Sequence, residues 1–135
     1  MCNALDIAKY TVSYCNTNGI FIDNTKLQYV LYYIQKKYYS VYKKPCFSEK
    51  ITVGEYGPVI NEVFNYYKNF GNMSITGQKK VKKIKKLSKS ELGFINDIIE
   101  NTVSQSAYFL MKQCQSENEW ITAEGKENKE IVFLG

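Results

Sequence analysis

Residues 54–59 read G-E-Y-G-P-V, and this stretch decides how the chain divides into helices. Gly57 can adopt a positive φ without steric cost, and Pro58 fixes the next φ near about −65°. A proline suits the first turn of a helix, because the N–H that it lacks would have no partner there. The stretch therefore predicts a rigid turn into a helix over residues 58–69. Gly57 and Pro58 are its structural residues, and the ring of Tyr56 lies beside it.

The sequence before this turn predicts two amphipathic helices. Over residues 4–16 apolar side chains recur three or four positions apart, and N18-G19 supplies the stop. Over residues 25–42 the spacing is i, i+3, i+4 and i+7, with Asp23 and Asn24 as candidates for the N-cap. Tyr32 and Tyr33 are adjacent, so we expect at least one of the two rings near the surface.

Two short segments between the second helix and the turn have an extended character. They cover residues 45–47 and 50–53, separated by a turn at Ser48 and Glu49. Neither is long enough to form a sheet with a core of its own. We expect a small hairpin packed on the helices.

The sequence after residue 87 predicts helices again. Ser88 and Glu91 fit a capping box, which begins a fourth helix that ends near residue 102. A fifth helix is expected over residues 105–115, and Trp120 opens one last helical turn. The apolar end at residues 131–134 is expected either to add a strand or to dock in a groove. The side chains expected to face inward from the fifth helix are Ala107, Leu110, Met111 and Cys114.

These elements together define the expected fold class. We predict a mainly α protein: a compact bundle of about five to six helices, with a small β-hairpin or short extended pieces inserted between helices 2 and 3. A length of 135 residues fits one domain over residues 1–135, with residues 124–135 as a C-terminal tail.

The composition argues against several kinds of chemistry. All 18 basic residues are lysine, and the chain has no histidine and no arginine. Without histidine there is no Ser-His or Cys-His dyad and no imidazole metal ligand. Without arginine there is no bidentate fork for phosphate or guanine. The carboxylates show no arrangement beyond ordinary surface charge. We predict no enzyme, no catalytic residues, no metal and no cofactor.

The four cysteines are scattered, with no C-x-x-C pair that would suggest a zinc site. There is no cleavable signal sequence and no apolar span of about 20 residues. We therefore expect four reduced, buried or half-buried cysteines in a cytoplasmic protein.

One charge run stands out, Q-K-K-V-K-K-I-K-K-L at residues 78–87. Without its six lysines the formal charge of +5 would become −1. One interpretation is an electrostatic patch for nucleic acid, an acidic protein or an anionic surface. The alternative is a solvated connector whose Val81, Ile84 and Leu87 pack on the core. No aromatic residue interrupts the run, so it lacks a stacking platform for single strands.

Four motifs along the chain carry a family resemblance. They are L-Q-Y-V-L-Y-Y at residues 27–33, F-x-E-x-I at 47–51 followed by Y-G-P-V at 56–59, S-A-x-x-L at 106–110, and the final Trp120. In order and spacing they resemble the Panacea (SocA-like) antitoxin domain, which is frequent in bacteria and their prophages. The resemblance covers about residues 4–123, nearly the whole chain.

The chain departs from the family pattern at three places. Val53-Gly54 stands where the family usually has A-W before the turn. Cys114-Gln115 replaces a Thr-His pair, and Glu119 replaces the usual proline before Trp120. Any role that rests on that histidine is therefore absent. The divergence leaves open whether this chain binds a different partner from that of other family members.

The resemblance implies a non-enzymatic protein that neutralises a cognate toxin by direct contact. Alternatives are a phage or mobile-element inhibitor of a host defence nuclease, a proteolytic adaptor, or a nucleic-acid-binding protein that uses the lysine run. The partner is expected to be a protein, no membrane is involved, and a homodimer stays open. The candidate contact residues are Tyr32, Tyr33, Tyr56, Trp120, Lys79, Lys80, Lys82, Lys83, Lys85 and Lys86.

Overall fold

The computed structural model describes residues 1–133, and within them the chain forms six α-helices and three short strands. This confirms the predicted mainly α class. The helices are α1 (Ala4–Thr17), α2 (Asn24–Tyr42), α3 (Asn61–Tyr66), α4 (Lys89–Val103), α5 (Ala107–Gln115) and α6 (Asn118–Glu124). The strands are β1 (Ile51–Gly54), β2 (Gly57–Val59) and β3 (Glu130–Ile131), and a turn of 3₁₀ helix covers Lys68–Phe70.

Helix α2 forms the centre of the molecule, because α1, α3, α4, α5 and β2 all pack against it. Its side chains from Leu27 to Gln35 are buried without interruption. A helix that is buried on all sides needs partners for its polar groups. The Gln28 Oε1 accepts a 2.8 Å hydrogen bond from the Ile60 N–H, and its Nε2 donates to the Asn24 side chain at 3.0 Å. Gln35 finds its partners in neighbouring backbone, as described below. The side chain of Asp23 caps the helix by accepting a 2.8 Å hydrogen bond from the Lys26 N–H, as predicted.

The caps of the other long helices also agree with the sequence. Helix α1 begins after Asn3, whose side chain accepts from the Leu5 N–H, and it ends before Gly19, which has a φ of 67°. Helix α4 begins with the predicted capping box, in which the Ser88 Oγ accepts from the Glu91 N–H at 3.1 Å and the Ser88 N–H donates to the Glu91 carboxylate at 2.9 Å. Local sequence therefore sets these helix ends.

The predicted small hairpin between the second and third helices is present, but its arms differ from the expected residues 45–47 and 50–53. It is formed by β1 and β2, which pair Thr52 with Val59 and Gly54 with Gly57 in antiparallel register. The helix predicted to begin at Pro58 begins only at Asn61, so that boundary was wrong. Pro58 is tolerated in a strand because β2 is the edge strand of the sheet order β2-β1-β3, where a missing N–H breaks no ladder.

The segment over residues 45–47, predicted as one arm of a hairpin, is held by a side chain instead. The Gln35 Oε1 accepts from the N–H groups of Cys46 and Phe47 at 2.8 and 3.2 Å, and its Nε2 donates to the Phe47 carbonyl at 2.6 Å. Phe47 also forms an isolated parallel bridge with Cys2. The buried amide of Gln35 thus replaces a strand partner.

The C-terminal tail adds a strand, which was one of the two predicted outcomes. Ile131 pairs with Ile51 and Glu130 with Thr52. Strand β3 therefore extends the sheet on the side of β1 opposite to β2. Leu134, also part of the predicted apolar end, lies outside the described residues. None of the helices within residues 1–133 is long and apolar enough to cross a membrane.

Candidate interaction surface

The tip of the β1–β2 hairpin presents Tyr56 to solvent, and 72 % of this residue is exposed. Gly57 has a φ of 137°, and a Cβ built on it would lie 2.6 Å from both Cζ and Oη of Tyr29. The Tyr29 hydroxyl in turn donates a 2.9 Å hydrogen bond to the Tyr56 carbonyl. The buried ring of Tyr29 on α2 thus holds the hairpin tip in place. A large aromatic side chain therefore projects from a rigid support.

At Gly54, beside the turn, the chain departs from the family pattern. The small residue at this position has a steric reason. A Cβ at this position would lie 2.6 Å from the Val59 side chain and 2.9 Å from the Gly57 carbonyl oxygen. No larger residue fits without a shift of the hairpin. A tryptophan, which the family pattern usually carries here, would require a different arrangement of the two strands.

Helix α5 contributes two further exposed aromatic residues that the sequence analysis did not select. Tyr108 and Phe109 are 69 % and 67 % exposed, and their rings meet edge to face at 6.3 Å between centroids. The ammonium group of Lys112 lies 5.6 Å from the centre of the Tyr108 ring. The sequence indicates this exposure, because neither aromatic residue belongs to the stripe of apolar residues that faces inward from the helix.

The inward stripe predicted for α5 is confirmed in part. Leu110 and Cys114 are fully buried. Met111 is half-buried, and the prediction for Ala107 was wrong because this residue is exposed at the first turn. Helix α5 therefore covers the core with a narrow stripe and leaves most of its surface to solvent.

Tyr32, Tyr33 and Trp120 lie in the interior, so the expectation that one of the adjacent tyrosine rings would be near the surface was wrong. Their exposed fractions are 0 %, 3 % and 1 %. The two tyrosine rings meet edge to face at 4.9 Å between centroids. Residues this deeply buried offer no surface for a partner in this conformation, and we assign them to the core.

A single carboxylate explains why both tyrosines are buried. The Glu117 Oε1 accepts a 2.6 Å hydrogen bond from the Tyr32 hydroxyl, and its Oε2 accepts a 3.1 Å hydrogen bond from the Tyr33 hydroxyl. Lys36 pairs with Glu117 at 3.1 Å and with Glu119 at 3.3 Å. Burial, together with hydrogen bonding to the carboxylate of Glu117, raises the pKa of Tyr32 well above its ordinary value. This cluster joins α2 to the start of α6, and its role is structural.

Residues 79–86 are here called the lysine segment. Its six lysines are all exposed. Between them Ile84 is buried, and Val81 and the following Leu87 are half-buried. The segment has no regular secondary structure up to residue 84. The Val81 N–H donates a 2.8 Å hydrogen bond to the Ser13 hydroxyl on α1. The packing of Val81, Ile84 and Leu87 expected for a connector is confirmed, and the six charges face solvent.

The thiols have no feature of a reactive site. All four cysteines are free and buried, as predicted. Burial raises the pKa of Cys15 to about 11 and those of Cys46 and Cys114 to about 12. A nucleophilic cysteine needs a thiolate at neutral pH, so these thiols are inert in the folded state. Within residues 1–133 no group of three acidic, cysteine or histidine side chains is placed to hold a metal ion.

The fold and its surface define a small, mainly α domain whose exposed large apolar side chains include Tyr56, Tyr108 and Phe109. A family model, Antitoxin SocA-like, Panacea domain, matches residues 27–121, from the first turn of α2 to α6. The chain therefore belongs to the SocA-like Panacea antitoxin family. No curated protein and no solved structure matches it.

Proposed function

We propose that this chain is an antitoxin that neutralises a protein toxin in the cytoplasm by direct contact and without catalysis. The observation that carries the proposal is the family match over residues 27–121. Buried, protonated thiols and the absence of histidine are consistent with a protein that works by binding. Neutralisation then needs only a surface that fits the toxin and covers or distorts its active region.

The exposed aromatic residues are the candidate anchors of that surface. Tyr56, Tyr108 and Phe109 are each more than two-thirds exposed, although large aromatic side chains are usually withdrawn from solvent in a protein without partners. Tyrosine and phenylalanine lose little conformational entropy on binding and bury a large area, so they dominate the energy of many interfaces. Their supports are rigid, since Tyr29 holds the hairpin tip and the Ser106 side chain caps α5.

The decisive experiment is co-expression with the product of the neighbouring gene. We expect that product to arrest growth when it is expressed alone. We expect this chain to restore growth and to co-purify with it. If the neighbouring product is harmless, or if growth stays arrested while both proteins are soluble, the antitoxin proposal is wrong.

The contact residues can be tested in the same system. Tyr56→Ala, and separately the pair Tyr108→Ala and Phe109→Ala, should each weaken toxin binding about tenfold or more, because truncation of an aromatic anchor commonly costs more than 1 kcal/mol. Phe21→Ala is the matched control, since Phe21 is 54 % exposed on the connector before α2. Titration calorimetry measures the affinity, and thermal unfolding checks that each variant folds. Loss of binding in the control alone would assign the interface to another face.

A further inference from the structure

The lysine segment carries a positive charge that no ion pair within residues 1–133 neutralises. The ion pairs within residues 1–133 both belong to Lys36, so no lysine of the segment lies within 4.0 Å of a carboxylate. Lys86 reaches only a backbone oxygen, that of Met1 at 3.3 Å. The rest of the chain has a formal charge of −1, so the net charge of +5 comes from this segment.

The charge is also held in place, which distinguishes the lysine segment from a solvated loop. Ile84 is 6 % exposed, and Val81 is fixed to α1 through its backbone N–H and the Ser13 hydroxyl. Anchors three residues apart leave the lysines between them pointing to solvent. Binding therefore costs less ordering entropy than it would for a free basic tail.

A cleft of about 410 Å³ lies between the lysine segment and α1. Lys80 and Lys82 line one side, and Thr17 and Asn18 at the end of α1 line the other. Tyr10 and Tyr14 also line the cleft, with ring centroids 6.3 Å apart. The cleft thus combines two ammonium groups with hydroxyl and amide groups, which suits carboxylates.

We propose that this cleft binds an acidic segment of the protein toxin, with Lys80 and Lys82 pairing with its carboxylates. The inference rests on the antitoxin function proposed above and adds the chemistry of the partner. Surface lysines that face a complementary acidic patch raise the association rate and select the partner. The aromatic anchors proposed above supply the remaining binding energy.

The tyrosines favour an acidic protein segment over a nucleic acid. The Tyr10 hydroxyl donates to Asn96 at 2.6 Å and the Tyr14 hydroxyl donates to Glu100 at 2.8 Å, so both are engaged by α4. Tyr10 is only 5 % exposed. Single-strand binding relies on open ring faces on which bases stack, and Tyr10 provides none.

The test compares two variants with the same change in charge. One replaces Lys79, Lys80, Lys82 and Lys83 with glutamine. The other replaces four exposed lysines elsewhere on the protein. The control lysines, whose exposed side chains form no ion pair within residues 1–133, are Lys43, Lys44, Lys50 and Lys68. A steric variant, Thr17→Tyr, fills the cleft without a change of charge, and Ser40→Tyr is its matched control on α2.

We expect the segment variant to bind the co-expressed toxin about tenfold to a hundredfold more weakly, with a flatter dependence on salt. Thr17→Tyr should weaken binding in the same direction, and both controls should bind as the wild type does. Wild-type affinity in the segment variant would overturn the inference while leaving the antitoxin function intact. Growth rescue by the wild-type chain, measured in parallel, reports on that function alone.

A second arm does not depend on the toxin. A short polyglutamate peptide is titrated into the ¹⁵N-labelled wild-type protein, with a single-stranded oligonucleotide of matched charge as the competitor. We expect shifts of the amide signals of residues 13–18 and 79–82 with the peptide, and their loss in the segment variant. No shifts with the peptide, or tighter binding of the oligonucleotide at the same amides, would overturn the proposal.

Discussion

Replacing Gly57 with alanine should destabilise the protein more than any other single-methyl change at its glycines. The φ of 137° lies in a region that L side chains rarely adopt. The added Cβ would also lie 2.6 Å from Cζ and Oη of Tyr29, inside van der Waals contact. The ring cannot retreat easily, because Tyr29 is 1 % exposed and its hydroxyl is bonded to the Tyr56 carbonyl.

The magnitude follows from two separate costs. Backbone strain at such a φ is about 1–3 kcal/mol. Forcing a methyl group into a packed site costs about 1–3 kcal/mol more. The free energy of unfolding should therefore fall by about 2–6 kcal/mol for Gly57→Ala. For a protein of this size that lowers Tm by roughly 7–21 °C.

Urea and thermal unfolding followed by circular dichroism measure this loss, and Gly93→Ala is the control. Gly93 lies on an exposed turn of α4, and nothing lies within 4 Å of its added Cβ. Alanine there should stabilise the protein by about 0.5–1 kcal/mol, because glycine is the weaker helix former. The two substitutions add the same atoms and should act with opposite signs.

A double-mutant cycle separates strain from overlap. In a Tyr29→Leu background the ring atoms that meet the new methyl group are gone. The cost of Gly57→Ala should then drop to the strain alone, about 1–3 kcal/mol. An equal cost in both backgrounds would refute the overlap with Tyr29, and a cost below about 0.5 kcal/mol in the wild type would refute the whole argument.

Three further outcomes are expected. Glu117→Gln should lower the free energy of unfolding by about 1–3 kcal/mol in urea titrations, because buried tyrosine hydroxyls and Lys36 lose their carboxylate; an unchanged midpoint would contradict this. Hydrogen bonds from Tyr38 and Ser88 lower the pKa of Glu91 when the protein folds. The contribution of the Glu91 carboxylate to the free energy of unfolding is therefore present above its ordinary pKa of 4.5 and is lost as the pH falls. Glu91→Gln should flatten the acid-induced loss of stability, and an identical profile would disprove this. The four buried thiols are those of Cys2, Cys15, Cys46 and Cys114. At neutral pH the folded protein should react with a thiol reagent only as fast as it unfolds. Rapid labelling of any cysteine would contradict the burial of these thiols.

Three of the positions where the chain departs from its family have a structural partner in this fold. Glu119, in place of a proline, pairs with Lys36. Cys114, in place of a threonine, lies 3.3 Å from the Tyr33 hydroxyl. Gly54 leaves room for Val59 in the hairpin. At these three positions the altered family motifs are thus compatible with the fold.

The ends of α1, α2 and α4 could be predicted from the sequence because their causes are local. Asp23 caps a helix through an N–H three residues away, and Ser88 and Glu91 complete a box within one turn. The exposure of the six lysines was equally accessible, since an apolar residue at every third position fixes which side of the chain faces inward. Such features depend on neighbours in sequence, and the sequence alone determined them.

The tertiary structure decided what depends on distant partners. Tyr32 and Tyr33 are both buried because Glu117, more than 80 residues away, accepts from both hydroxyls. Pro58 belongs to a strand because β1 pairs with β2 on one side and with β3 of the tail on the other. Gly57 is fixed by the ring of Tyr29 across the α2 surface. No local pattern encodes these pairings, because hydrogen bonds and steric fit between remote segments exist only once the core has assembled.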